Sequence, residues 1–223
     1  TATYEDVGGS PPKARCMAIS ANRVILGNLK TGGTISPVAV DVSKNGDFDT
    51  GYGTEQVELL RDSEGEIISM MERGNLLVDV YKTDAVYQAI AVDATDPFRF
   101  ELKHNLEQNA GPASTLGVVK ISDGLDAYLG KDGNPRRYDG VARPTEFSPG
   151  AAKWIKDNAN FSVLGRSFVF YDPLNKEMWC VFAEKNKNDP NLAAIINPWT
   201  GVFHPYRFDT LRFSAGIKLT AST

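Results

Sequence analysis

The stretch AYLGKDGNPRRYDG, residues 127–140, decides the fold class of this chain. It reads as a strand, a tight turn and a second strand. The pair Asp132-Gly133 favours a hairpin, because the tight turns of hairpins require backbone positions that tolerate positive φ. A second pair, Asp139-Gly140, follows a few residues later. The stretch therefore predicts short antiparallel strands joined by tight turns.

The same pattern recurs along the chain, which we read as roughly fourteen to eighteen short strands separated by turn signals. Four segments each combine an apolar strand, a polar turn and a second strand rich in aromatic residues: 76–90, 121–139, 168–181 and 195–206. A spacing of about 40–50 residues per segment is typical of propeller blades. We therefore expect an all-β fold, a propeller-like array of about four to five blades. A chain of this length is also compatible with an incomplete propeller.

One segment, Pro149–Asn158, predicts a short helix, because Pro suits the first turn, the alanines favour helix and Trp154 with Ile155 forms one apolar face. The Gly/Pro-rich residues 1–13 predict an extended N-terminal segment, and residues 14–223 a single propeller-like domain. Further strands are expected over 161–170 and 212–219.

Composition excludes several classes of protein. With 223 residues and 42% hydrophobic residues, the chain can form a core without disulfides or metals. A net charge of −4 without a basic block argues against binding nucleic acid through its phosphates, but suits a channel through which DNA slides. Cys16 and Cys180 sit in apolar strands and are expected to be buried and reduced. No apolar run has a membrane helix's length, and residues 1–12 do not form a signal peptide.

No catalytic motif is present, and neither His104 nor His204 has a nucleophile or acid at a recognisable spacing. We therefore expect no enzyme and no cofactor. The loop DVSKNGDFDTG, residues 41–51, places four candidate oxygen ligands at calcium-like spacing, which leaves a calcium site or a solvated loop as alternatives: Asp41, Asn45, Asp47 and Asp49. Because its Gly and terminal acid do not fit the twelve-residue calcium loop, no metal is expected.

Three residues are candidate subunit contacts: Arg136, Arg137 and Trp199. The two arginines suit a solvated blade edge, where charge prevents unwanted strand pairing, and either could instead meet a neighbouring subunit or a phosphate. Trp199 lies in the turn NPWTG and is expected to be exposed, whereas Trp179 alternates with Val181 and is expected to pack in the core. The hairpin over 131–138 is expected to be scaffold rather than a ligand site.

Six segments of strand-turn pattern occur in order along the chain: PPKAR (11–15), NRVILGN (22–28), GEIISMMERGNLLVDVYKTDAVYQAI (65–90), GPASTLGVVKISDGLDAYLGKDGNPRRYDG (111–140), FYDPLNKEMWCVFAEKN (170–186) and IINPWTGVF (195–203). In these segments the chain resembles the β-propeller tail proteins of short-tailed bacteriophages, the nozzle or tail-hub family. The resemblance covers most of the chain, from about Pro11 to Leu219.

The resemblance implies a structural protein of the virion, a nozzle or hub subunit in a ring around the DNA ejection channel. Implied partners are identical subunits, with sixfold symmetry expected, and other tail or portal-adaptor proteins. DNA would pass without specific binding, and no membrane would be present in the mature particle. The chain would reside in the virion tail after assembly in the host cytoplasm. The alternative is a propeller that binds a receptor or carbohydrate, as a head fibre or tail adhesin. A glycoside-degrading enzyme on the same fold is a third hypothesis.

Overall fold

The computed structural model describes residues 12–48, 52–53, 55–93 and 97–208. These residues form sixteen strands in four antiparallel four-stranded sheets, in which consecutive strands are neighbours. The chain divides into two compact units, Thr1–Leu106 and Glu107–Thr223, with two sheets each.

The N-terminal unit contains eight strands within the described residues. Its first sheet comprises β1 (Lys13–Ser20), β2 (Arg23–Thr31), β3 (Thr34–Val42) and β4 (Gln56–Leu59). Its second sheet comprises β5 (Ile67–Glu72), β6 (Leu77–Lys82), β7 (Ala85–Ala91) and β8 (Phe98–Asn105).

The two sheets of the N-terminal unit enclose one apolar core, because alternate residues of each strand point toward it. Ile25, Val40 and Val80 belong to this core and are fully buried. Gly27 lies where β2 approaches the second sheet, and a β-carbon there would overlap the Met70 side chain. A larger residue at position 27 would therefore require the Met70 side chain to move.

The C-terminal unit has a similar organisation with a helical insertion. Its first sheet comprises β9 (Val118–Ser122), β10 (Leu125–Leu129), β11 (Pro135–Tyr138) and β12 (Thr145–Glu146). The helix α1 (Pro149–Asn158) and a 3-10 helix (Phe161–Arg166) follow. The second sheet comprises β13 (Phe168–Asp172), β14 (Glu177–Phe182), β15 (Leu192–Ile196) and β16 (Phe203–Arg207).

The four sheets begin at Lys13, Ile67, Val118 and Phe168, which gives a repeat of about 50 residues. Each is a four-stranded antiparallel meander, the form of a propeller blade. The predicted all-β, β-propeller-like fold with one short helix is confirmed, and the four sheets of the described residues agree with the predicted four to five blades. The single domain over residues 14–223 stays a prediction.

Helix α1 has the bounds that the sequence predicts. Pro149 occupies the first turn, and Ala151, Ala152 and Ile155 are buried. Trp154 packs edge-on against the Phe182 ring, with ring centroids 5.6 Å apart. The helix is therefore held by its apolar face against the second sheet of its own unit.

The strand expected over 161–170 is wrong in its first half. Residues Phe161–Arg166 form a 3-10 helix, and β13 begins only at Phe168. The Asn160 side chain accepts a hydrogen bond from the Ser162 N–H at 3.2 Å, which starts a turn rather than a strand. The strand expected over 212–219, and residues 1–11 of the predicted N-terminal segment, lie outside the described residues, whereas Lys13 already belongs to β1.

Candidate functional site

The turn between β10 and β11 is stabilised by its own side chains. Gly133 has a φ of +82° and donates its N–H to the Gly130 carbonyl at 2.9 Å. The Asp132 carboxylate accepts the Asn134 N–H at 3.0 Å. A short polar side chain followed by Gly therefore accounts for this turn without a ligand.

Arg136 is buried beneath this turn, with 6% of its surface exposed. Its guanidinium donates to both oxygens of Asp132 at 2.7 Å and to Glu146 at 2.9 Å. Burial would lower the pKa of Arg136, but the hydrogen bonds and charge of Asp132 outweigh it and raise this pKa. The expectation of a solvated Arg136 is wrong, because its side chain is buried and bonds to the carboxylates of Asp132 and Glu146.

Arg137 and Trp199 line one cleft of the C-terminal unit, with a volume of about 340 Å³. The Arg137 guanidinium donates to the Pro198 carbonyl at 3.2 Å, which ties the strand to the turn that carries the indole. Trp199 is 50% exposed, as the sequence predicts. The described residues that line it are Leu125, Arg137, Asp139, Ala142, Arg143, Thr145 and Trp199.

Two side-chain-capped turns shape this cleft. The Asp139 carboxylate accepts the N–H groups of Val141 and Ala142 at 2.9 and 2.8 Å. The Asn197 side-chain oxygen accepts the N–H groups of Trp199 and Thr200, both at 3.0 Å. Because Asp and Asn bond readily to the backbone two and three residues ahead, both loops are fixed locally. The backbone that carries the exposed indole is therefore held by the Asn197 side chain.

The lining of the cleft suits recognition more than bond-breaking chemistry. An exposed indole offers a flat apolar face for a sugar ring or another planar group. Guanidinium groups donate paired hydrogen bonds to carboxylate or phosphate. None of the described residues that line the cleft is a serine, cysteine or histidine. The geometry thus favours a binding site for a hydroxyl-rich or anionic group.

Sequence reasoning missed three polar contributors to this cleft: Asp139, Arg143 and Thr145. The sequence predicts Asp139 only as a turn residue, which it also is. The other two lie in the loop after β11 and at β12, and no sequence pattern indicates that this loop lies beside the turn at Trp199. A second arginine six residues after Arg137 is the signal that the sequence offers.

A buried amine in the N-terminal unit was also missed. Lys82 ends β6 and is fully buried. Its Nζ donates to the carbonyls of Leu60 and Ser63 at 2.6 and 2.8 Å and lies 5.4 Å from the centre of the Tyr87 ring. Burial lowers the pKa of Lys82, and the charge of Asp84 partly opposes the effect. The backbone carbonyls of the preceding loop thus compensate for burying this amine.

The remaining sequence candidates have structural environments. Cys16 and Cys180 are free and buried, as predicted, and burial raises the pKa of Cys16 to about 12. The buried Asp41 accepts the Gly53 N–H at 2.9 Å, and Asp49 of the same loop lies outside the described residues. Trp179 is partly buried and packs against the apolar cluster that contains Val181. The part of the chain that the structure describes contains no cluster of metal-ligand residues.

Comparisons with known proteins bear on the fold. No family model matches the chain, and no curated protein matches it. A crystal structure from Bacteroides uniformis, provisionally assigned as a 6-phosphogluconolactonase, is similar with a TM-score of 0.53 and 13% identity, over 91% of this chain and 57% of that one. Apo AztD from Citrobacter koseri is more distant, with a TM-score of 0.40 and 8% identity, over 88% of this chain and 60% of AztD.

The similarity to the Bacteroides uniformis structure supports the propeller-like fold. Because the identity is 13%, this similarity shows the fold alone. The chain spans less than two thirds of the length of both solved structures. Within the described residues, no helix is long and apolar enough to span a bilayer. The subunit contacts through Arg136, Arg137 and Trp199 stay predictions, as does the absence of enzymatic activity.

Proposed function

We propose that this chain is a structural protein of a bacteriophage virion, a nozzle or hub subunit of the tail that forms part of a ring around the DNA ejection channel. The proposal extends the resemblance of the sequence to tail proteins of short-tailed phages. Its partners would be identical subunits, with sixfold symmetry, and other tail or portal-adaptor proteins. DNA would pass without specific binding, which a net charge of −4 favours.

One observation carries the proposal: the segments of the resemblance coincide with repeated sheet hairpins. Residues 65–90 span β5 and β6 and most of β7, residues 111–140 span β9 to β11, and residues 170–186 span most of the β13–β14 hairpin. Arg136, a buried charged residue of these segments, forms its hydrogen bonds within its own unit. These segments thus serve packing and strand pairing, which is what a scaffold protein requires.

Assembly of the purified chain tests this proposal. Native mass spectrometry and two-dimensional electron-microscopy classes should show a ring of identical subunits, formed alone or on addition of a tail or portal-adaptor protein. Trp199→Ala and Arg137→Ala should weaken the ring, because these side chains are the accessible candidate contacts. Leu174→Ala is the matched control, since Leu174 is also an exposed apolar turn residue. A chain that stays monomeric under both conditions, and is absent from tails by immunogold labelling, would contradict the proposal.

A second candidate function, receptor or carbohydrate binding, is favoured by the half-exposed Trp199 in its polar cleft. Stacking of a sugar ring on the indole, with hydrogen bonds from Arg137 and Arg143, would provide recognition. A glycan array tests it, with Trp199→Ala as the loss variant and Leu174→Ala as the control. An array without signal would argue strongly against carbohydrate binding.

Lactone or glycoside hydrolysis is a weaker alternative, suggested only by the fold shared with the Bacteroides uniformis protein. A hydrolase needs a nucleophile or a placed pair of acids beside the bound substrate. Among the described residues, the cleft at Trp199 offers one carboxylate, Asp139, and one of its oxygens already accepts two backbone N–H groups. We therefore expect no turnover of sugar-phosphate lactones or polysaccharides by the purified chain.

A further inference from the structure

The turn that carries the Trp199 indole is closed by hydrogen bonds within the C-terminal unit. The Asn197 backbone N–H donates to the Val202 carbonyl at 2.8 Å, and its carbonyl accepts the Gly201 N–H at 2.9 Å. The Ser148 hydroxyl donates to the Gly201 carbonyl at 2.7 Å. Because this turn is already ordered, a ligand that binds the indole does not incur the cost of ordering it.

The cleft beside this turn, called the Trp199 cleft below, has an apolar part and a second ordered loop. Leu125 lines the cleft and also packs against the core cluster of the unit. The loop that carries Arg143 is held by Asp139, which accepts the N–H groups of Val141 and Ala142 through one oxygen. The cleft therefore combines a flat aromatic surface with side chains on short, locally fixed segments.

The described lining of the Trp199 cleft is positively charged, although the net charge of the chain is −4. Arg137 and Arg143 outnumber one carboxylate, Asp139, which leaves a single positive charge. Within the described part of the chain, neither arginine forms an ion pair with a carboxylate, whereas the neighbouring Arg136 pairs with two. A guanidinium has five N–H donors, and Arg137 uses one of them for the Pro198 carbonyl. Both arginines therefore have donors left for a ligand.

These features select a ligand with a ring and one negative charge. The face of a sugar ring packs on an indole, and a carboxylate matches the planar fork of a guanidinium. A carboxylate brings one negative charge, which balances the single positive charge of the lining. A phosphate monoester brings about −1.5 to −2 at pH 7, which exceeds it. The volume of about 340 Å³ is at the small end of the range for ligand pockets, about 300–1,000 Å³.

We propose that the Trp199 cleft binds an acidic sugar, a pyranose ring that carries a carboxylate, such as a uronic acid residue of a polysaccharide. The ring packs on the indole, and the carboxylate accepts hydrogen bonds from the guanidinium groups of Arg137 and Arg143. The exposed Thr145 hydroxyl bonds to a hydroxyl of the sugar. This inference rests on the second candidate function, carbohydrate binding, and names the class of glycan.

Isothermal titration calorimetry with digalacturonic acid and dimannuronic acid, each beside its neutral methyl ester, tests the inference. At least one free acid should bind saturably, and its ester should bind about tenfold more weakly, since the charge-assisted hydrogen bonds are lost. Arg143→Gln should weaken binding of the acid by a similar factor and leave binding of the ester unchanged. Arg166→Gln is the matched control, because Arg166 is also exposed and lies in the same unit, but is not among the described residues of this lining. It should bind both sugars like the parent.

Trp199→Ala separates a failure of this inference from a failure of carbohydrate binding itself. It should weaken binding of acid and ester alike, by about threefold to tenfold, while Leu174→Ala should change neither. If acid and ester bind equally and both depend on Trp199, carbohydrate binding stands and the assignment to acidic sugars is wrong. If neither binds saturably, both fail. The assignment is also wrong if Arg143→Gln binds the acid like the parent, or if an equal concentration of inorganic phosphate displaces the acid.

Discussion

Two adjacent arginines of the β11 strand should contribute very differently to stability. Arg136→Ala removes three charge-assisted hydrogen bonds from a buried guanidinium. Breaking a buried pair costs about 3–5 kcal/mol. The side chains of Asp132 and Glu146 are 27% and 50% exposed, so water can solvate them in the variant. We therefore expect Arg136→Ala to lower the free energy of unfolding by about 3 kcal/mol, the low end of that range.

Arg137→Ala is the matched control. Arg137 is half-buried, and within the described part of the chain its side chain donates one hydrogen bond, to the Pro198 carbonyl. A single bond of this kind contributes about 0.5–1.5 kcal/mol, so the expected loss is below 1.5 kcal/mol. The two variants remove the same side chain from neighbouring positions of one strand, so their difference measures the buried ion pairs.

Urea unfolding followed by tryptophan fluorescence is a suitable assay, because all three tryptophans lie in the C-terminal unit. The denaturation midpoint of Arg136→Ala should fall clearly below that of Arg137→Ala, with an unchanged slope. Arg136→Lys should be intermediate, since an ammonium keeps the charge but cannot bond to both oxygens in the plane of the carboxylate. Equal midpoints for the two alanine variants would refute the buried network.

Three further outcomes are expected. Gly133→Val should lower the free energy of unfolding by about 1–3 kcal/mol, and by more than Gly32→Val does. Both sites have positive φ, but only at Gly133 does an aromatic carbon lie 3.0 Å from the added β-carbon. Equal losses for the two variants in urea unfolding would contradict this contact. The pKa of Lys82 is lowered from its ordinary 10.5, so the unfolded state binds more protons between the two pKa values and stability rises with pH across that window. Lys82→Met should abolish that rise in thermal melts, and a parent without it would contradict the burial. Neither Cys16 nor Cys180 should react with Ellman's reagent at pH 8 in the native state, and both should react in urea, because burial raises both thiol pKa values.

Much of the fold could be predicted from the sequence, because its signals are local. The Asp-Gly turn supplies positive φ at Gly133, and helix α1 begins at Pro149 where a missing N–H costs nothing. The strand repeat follows from alternating apolar residues and frequent turns. The 3-10 helix was missed because residues 161–170 have a strand-like composition, while the turn bonds of Asn160 decide the backbone there.

The environment of individual side chains depended on tertiary structure. Alternation along a strand places Arg136 and Arg137 on opposite faces, but it does not say which face other residues cover. The Glu146 carboxylate, ten residues ahead, helps to bury Arg136. Lys82 likewise looks like an ordinary turn residue until the carbonyls of Leu60 and Ser63 are placed beside it.

By itself, then, the sequence determined the propeller-like strand repeat, the short helix, the buried cysteines and the exposed indole of Trp199, because each follows from the preferences of a few consecutive residues. Only the tertiary structure decided which side chains share a cleft. Arg137 meets Pro198 across 61 positions of sequence, and Ser114 meets Ser167 across 53. Such contacts depend on how strands of different sheets are placed within one unit, and a local pattern of residues does not encode that placement.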